Sequence, residues 1–221
     1  MTHNRTDSEA PVELRRDDRG LALFGDGMEL RGDFSRMLPR LRQGRLQQEL
    51  LVKAARIKGT ETPTAVDCTA GLGEDSLLLA AAGFSVTLFE RDETIAALLA
   101  DALERAAADP ALADIVARMC LVPGDSIAGL AELGFLPDVV YLDPMFPART
   151  KSAAVKKKFQ LLHHLEQPCE EEEALVAAAL ATHPRKVVIK RPAKGPQLAG
   201  LKPSYSIGGK SVRYDVLVPA R

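Results

Sequence analysis

The sequence predicts an α/β fold: a mostly parallel, seven-stranded sheet with helices against it, preceded by a small β-meander. Three observations carry this expectation. Short apolar runs alternate with Ala/Leu-rich helical stretches between residues 64 and 190, the rhythm of βα units joined by right-handed crossovers. A tight turn, Thr69-Ala70-Gly71-Leu72-Gly73, joins the first of these strands to its helix. Two further strand-like runs flank Gly208-Gly209 near the end of the chain, a hairpin signal that adds antiparallel pairing.

Residues 1–10 are polar and read as a disordered tail without the apolar core of a signal peptide. Residues 11–40 read as a small amino-terminal β extension. Its segments 12–16, 21–24 and 28–31 show partial apolar alternation and are separated by Asp17-Asp18-Arg19-Gly20 and Gly25-Asp26-Gly27. Three such strands are too few to stand alone and must pack on the rest of the chain. Residues 41–221 form the main domain. Leu46, Leu50, Leu51, Ala54, Ala55 and Ile57 recur at helical spacing, which predicts one helix over 43–58 with Gly59 as its stop. Strands are predicted over 64–68, 84–89, 118–122, 137–142, 186–190, 204–207 and 212–218. Helices are predicted over 75–82, 94–107, 127–133 and 170–182, the last with an acidic first turn that suits the helix dipole.

The chain of 221 residues, 46% hydrophobic and 27% charged, supports a sizeable core in a soluble protein. No apolar run reaches the roughly 18 residues of a membrane span, so a cytoplasmic location is expected. Cys68, Cys120 and Cys169 are odd in number and lack a Cys-x-x-Cys, which argues against disulfides and zinc. His163 and His164 are adjacent and diverge on a helix, so no metal is expected. The net charge of −1 hides a separation. Residues 149–158 and 185–214 carry 13 of the 29 basic residues and no acid. A polyanion would feel those runs rather than the total; the plainer reading is two solvated loops.

The candidate site centres on Val139-Val140-Tyr141-Leu142-Asp143-Pro144-Met145-Phe146-Pro147. A buried strand ending in Asp-Pro sets a carboxylate at the carboxyl edge of the sheet, where open α/β folds bind ligands. Phe146 offers a flat face beside it, fit for a planar amine such as a nucleobase. A strand followed by a proline turn is the plain alternative. Gly71-x-Gly73 opens a helix whose amino end favours a negative group. Glu90 ends the next strand, where ribose hydroxyls would be held. The third glycine of a dinucleotide fingerprint is replaced by Ser76, which disfavours a nicotinamide cofactor. Asp125-Ser126 ends the third strand and serves as a helix cap, an adenine acceptor or both. Asp67, Glu90, Asp125 and Asp143 thus end four consecutive parallel strands. Gly209-Lys210-Ser211 is not a P-loop, because Ser204 stands where its first glycine would be.

Taken together, several segments resemble the bacterial small-subunit ribosomal RNA guanine-N2 methyltransferase J family over residues 60–218. They are Asp67-x-Thr69-Ala70-Gly71-Leu72-Gly73-x-Asp75, Glu90-Arg91, Tyr141-Leu142-Asp143-Pro144-Met145-Phe146-Pro147, Lys151-Ser152-Ala153-x-Val155-Lys156-Lys157, Lys190-Arg191-Pro192 and Gly209-Lys210-Ser211-x-Arg213-Tyr214-Asp215-Val216. The resemblance implies a Rossmann-like class I methyltransferase using S-adenosyl-L-methionine, with small-subunit ribosomal RNA or the small ribosomal subunit as partner. The cofactor would be held by Asp67, Gly71, Gly73, Glu74, Asp75, Glu90, Arg91, Asp125, Ser126 and Asp143. Asp143 and the Pro144 carbonyl would receive the target amine, and Phe146 would stack on the base. Arg149, Lys151, Lys156, Lys157 and Lys158, with Lys190, Arg191, Lys210 and Arg213, would hold RNA phosphates. Leu41-Arg42-Gln43-Gly44-Arg45 departs from the family's glycine-rich run before the first long helix. The Asp-Pro-x-aromatic pattern also resembles other amino-methyltransferases, acting on adenine N6 or protein glutamine. A non-catalytic RNA-binding protein on the same fold is a third reading.

Overall fold

The computed structural model describes residues 12–25, 27–144 and 171–220. Met145, Phe146, Pro147, the basic run 149–158, His163, His164 and Cys169 lie outside the described residues.

The main sheet holds β4 (Thr64–Asp67), β5 (Ser85–Glu90), β6 (Met119–Pro123), β7 (Val139–Leu142), β8 (Lys186–Pro192), β9 (Tyr205–Gly208) and β10 (Val212–Leu217). Their order is β6-β5-β4-β7-β8-β10-β9. The first five run parallel, and β10 is antiparallel to both β8 and β9. The chain enters at β4, steps outward through β5 and β6, then returns to place β7 on β4's other side. The direction of winding therefore reverses between β4 and β7, the position where such sheets open a ligand crevice.

Side chains alternate between the two faces of the sheet. Ala65, Val139, Tyr141, Val188, Tyr214 and Val216 face one core, with residues of α2 (Leu50–Ala55) and α3 (Glu74–Ala81). Val66, Val140, Leu142, Val187 and Ile189 face the other, against Leu130 of α6 (Ser126–Ala131) and Leu175, Val176 and Ala179 of α7 (Glu172–Ala181). Full burial of β7 explains why its four residues are continuously apolar or aromatic.

The amino-terminal strands β1 (Glu13–Asp17), β2 (Gly20–Gly25) and β3 (Met28–Leu30) form an antiparallel meander. Leu23 and Leu30 pack on Ile95 and Leu98 of α4 (Glu93–Ala107). Arg16 and Arg105 both grip the buried Asp101 at 2.7 Å. Gly20, at φ +107°, lies so close that an added Cβ would stand 2.4 Å from Arg105 Nε; only glycine fits that docking.

The single helix expected over 43–58 is two pieces. A 3-10 turn, Leu46–Gln48, precedes α2, and Glu49 between them is extended at φ −59° and ψ 129°. Leu46 and Leu51 are nevertheless both buried, so two short elements serve one apolar pattern. Sequence reading also missed α1 (Leu38–Leu41), α5 (Ala113–Val116) and the 3-10 turns Phe34–Met37 and Leu198–Gly200. All are about one turn long, too short for periodicity to register. Among the described residues, no helix is long and apolar enough to cross a membrane, and no group of three or more His, Cys, Asp or Glu could hold a metal ion.

Candidate functional site

Strand order makes neighbours of the four predicted acids. Asp125 follows β6, Glu90 ends β5, Asp67 ends β4 and Asp143 follows β7, and those strands are adjacent in that order. Their environments divide them into different roles.

Asp67 is 1% exposed and lies beneath the glycine turn rather than lining its surface. It accepts hydrogen bonds from the Thr69 amide at 3.0 Å and the Ser76 hydroxyl at 2.6 Å. Burial raises its pKa to about 7. Ser76, which breaks the dinucleotide fingerprint, is therefore the partner that fixes this carboxyl. The Thr69 hydroxyl in turn accepts the Asp143 amide at 2.7 Å, so Asp67 positions the Asp143 backbone through one intermediary.

Glu90 is largely buried. Its two oxygens accept the Gly71 amide at 2.8 Å and the Asp92 amide at 2.9 Å, and burial raises its pKa. Gly71 sits at φ +54°, which aims that amide at Glu90. Gly73, at φ +75°, is dictated by packing instead: an added Cβ would lie 2.7 Å from Leu99 Cδ1. Glu74 and Arg91 are exposed at the same edge. Asp125 caps α6, its Oδ1 accepting the amides of Ile127 and Ala128 at 2.8 and 3.1 Å. The residue is exposed and its Oδ2 takes no part in the cap, while Ser126 beside it is buried.

On the α3 side a second network forms. Lys190 Nζ donates to Asp75 Oδ2 at 2.7 Å and to Asp143 Oδ2 at 2.8 Å. The Tyr141 hydroxyl donates to the same Asp75 oxygen at 2.6 Å. Tyr214 pairs with Lys190 across the sheet, and its ring lies 6.5 Å from that of Tyr141. Burial raises the Asp143 pKa, and the Lys190 ammonium opposes that shift. Burial also works against the Lys190 charge, but Asp75 and Asp143 outweigh it and raise its pKa. Burial beside these carboxylates pushes both tyrosines up, so they stay protonated donors. The result is a carboxylate kept ionised in a desolvated setting, with Oδ1 outside the Lys190 contact and the side chain still 37% exposed. Such a group can accept hydrogen bonds from an amine.

Lys190, Tyr141 and Tyr214 are the residues sequence reading missed here. The one available signal was the strand period of two. It puts Tyr141 and Lys190 on the face that α3 covers, where a hydroxyl and an ammonium need partners.

The expected phosphate-holding role is corrected for three cations. Lys190 is held between two carboxylates. Arg191 is 1% exposed, with Nε donating to the Pro196 carbonyl at 3.0 Å and the Glu172 carboxylate 3.9 Å away. Arg213 chelates Asp215 and donates to the carbonyls of Pro192, Ala193 and Gly195. Lys210 is exposed in the β9–β10 hairpin turn. That turn is closed by Gly209 N donating to the Val212 carbonyl at 2.8 Å, a hairpin as expected. Phe146, Arg149, Lys151, Lys156, Lys157 and Lys158 lie outside the described residues.

A family model of SAM-dependent methyltransferases matches residues 5–219. The chain is 46% identical over 216 residues to "Ribosomal RNA small subunit methyltransferase J" of Thioalkalivibrio sulfidiphilus, covering 94% of this chain and 85% of that protein. It is 44% identical over 218 residues to the protein of the same name from Pseudomonas aeruginosa, covering 95% and 83%. Among solved structures, it resembles the crystal structure of a SAM-dependent methyltransferase from Neisseria gonorrhoeae. There the TM-score is 0.78 at 33% identity, over 98% of this chain and 86% of that one.

Proposed function

The chain belongs to the ribosomal RNA small subunit methyltransferase J family of SAM-dependent methyltransferases, and on that premise we propose that it methylates the exocyclic N2 amine of a guanosine in small-subunit ribosomal RNA, in the cytoplasm. The observation that carries this reading is the Asp143 carboxylate, held by Lys190 at the carboxyl edge where the sheet reverses its winding.

The edge suits S-adenosylmethionine by its donor and acceptor chemistry. Glu90 and Asp125 are acceptors for hydroxyl and amino hydrogens, and the Gly71–Gly73 turn has no side chains at its two glycines. When bound, that cofactor supplies a methyl group on a positively charged sulfur. Glu74, Asp75 and Arg91 complete the residues assigned to it.

The guanine amine is a weak nucleophile, because its lone pair is delocalised into the ring. Asp143 and the Pro144 carbonyl would accept its hydrogens, which orients the lone pair and stabilises positive charge developing on nitrogen. A carboxylate with an ordinary pKa of about 4 is too weak a base to strip the amine beforehand. Even with its pKa raised by burial, Asp143 is assigned a proton that leaves during or after transfer. Phe146 would stack on the base, which must be unpaired or flipped out to reach the edge.

The test supplies labelled S-adenosylmethionine with unmodified small subunits, free ribosomal RNA, DNA or release factor, and maps the methyl by mass spectrometry. Label on guanine N2 of the ribosomal RNA is expected. Label confined to DNA or protein would reject the guanine assignment. Cofactor binding that is absent, or unchanged in Glu90→Ala, would reject the assigned cofactor site.

A further inference from the structure

The segment between the meander and β4 has a charge that the site so far does not use. Residues 36–58 carry seven basic residues against one acid, Glu49, in a chain whose net charge is −1. That acid is already taken: Arg40 grips it with two bonds of 2.8 Å, Nε to Oε1 and Nη2 to Oε2. Arg36 pairs with Asp33. Arg42, Arg45, Lys53 and Arg56 are exposed and take part in no ion pair among the described residues.

These cations stand on an anchored backbone. Met37, Leu46, Leu51 and Ala54 are buried in the core on the α3 side. The amides of Arg45 and Leu46 both donate to the Arg42 carbonyl at 3.0 Å, and the Gln47 side chain accepts the Gly44 amide at 2.7 Å. The turn is thus closed on itself, and little backbone ordering remains to be done on binding.

The segment also flanks the site. An added Cβ on Gly73 would lie 3.2 Å from Phe34 Cζ, and one on Gly209 would lie 2.7 Å from Leu50 Cδ1. Arg40 is within electrostatic reach of Asp75 and Tyr214. The cations therefore sit between the glycine turn and the hairpin that carries Lys210. None of the exposed large hydrophobic residues among the described ones falls within 36–58. A protein partner would want such an anchor, whereas phosphates need only positioned cations.

We propose that the 42–56 segment is an RNA-docking surface, with Arg42, Arg45 and Lys53 holding backbone phosphates of the strand that bears the target base. This rests on the ribosomal RNA reading above. It adds a binding surface distinct from the basic runs at 149–158 and 185–214.

The test combines Arg42→Glu, Arg45→Glu and Lys53→Glu, with a second variant carrying glutamine at the same three positions. Binding to transcribed, unmodified small-subunit ribosomal RNA is measured from about 50 to about 200 mM salt, beside cofactor affinity and steady-state kinetics on unmodified subunits. The charge-reversed variant is expected to lose at least about tenfold in RNA affinity. The slope of log affinity against log salt should fall by about 2, as the loss of three phosphate contacts requires. KM for the subunit should rise while saturating kcat and cofactor affinity hold. The glutamine variant should show the same pattern, smaller in size. RNA affinity equal to wild type in the charge-reversed variant would overturn the proposal and leave the methyltransferase reading intact. An equal loss of cofactor affinity in both variants would also overturn it, since the segment would then shape the site rather than touch RNA. If the wild-type protein binds the cofactor but neither binds nor methylates this RNA, the parent reading and the proposal fall together.

Discussion

Residues 185–214 and residues 36–58 look alike as strings, each rich in arginine and lysine, yet the fold uses them in opposite ways. In the carboxyl-terminal run, five of the eight cations turn inward. Arg185 donates to Asp138 and Thr60, Lys186 to the carbonyls of Ala54 and Arg56, Lys190 to Asp75 and Asp143, and Arg191 and Arg213 to the carbonyls just after β8. In the amino-terminal segment the backbone is anchored by apolar residues, and the cations point out. The difference lies in the element. A strand at the middle of a sheet delivers every side chain to a covered face, so its cations must find partners there. A short turn with buried leucines leaves its polar positions in water. Charge counted along a chain therefore measures potential only once the elements are known.

The contrast can be broken first at Arg191. Arg191→Ala removes a buried guanidinium and should lower unfolding stability by about 3 kcal/mol in chemical denaturation; an unchanged midpoint would mean the residue is not structural. Lys190→Met should slow methyl transfer by roughly 30-fold, within the range for loss of one electrostatic contact, with folding retained. Its pH profile sharpens the assignment. Burial raises the Asp143 pKa and Lys190 opposes it, so without the ammonium the carboxyl rises further. Activity that needs the carboxylate is lost as pH falls through that pKa, and the acid limb should move to higher pH. A limb that stays in place would separate Lys190 from Asp143. The smallest effect is expected at Lys194 and Lys202, both exposed. Alanine at both should change stability by less than about 0.5 kcal/mol, and a larger loss would extend the inward-turned set beyond the five.

Much of the fold was legible because apolar period and turn chemistry agree. The seven strands of the main sheet were each anticipated within about two residues, and the meander by its Asp-Gly turns. The broken 43–58 helix was not, since Leu46 and Leu51 satisfy one helical pattern whether or not Glu49 is helical. Within the site, the acids at strand ends were legible from position alone. The Lys190 bridge was not, because it exists only through the pairing of β8 with β7, which sets Ile189 beside Leu142 and carries Lys190 to Asp143. Asp67 was read as facing the ligand; its burial follows from the Ser76 hydroxyl above it, and nothing in the spacing announced that pair.

The central claim is that Asp143 receives the amine at the point where the sheet reverses. Single-turnover methyl transfer by Asp143→Ala on unmodified small subunits tests it most directly, with circular dichroism and thermal unfolding recorded on the same preparation. A folded variant slowed by about 100-fold or more is the predicted result. A folded variant that transfers methyl at close to the wild-type rate would contradict it.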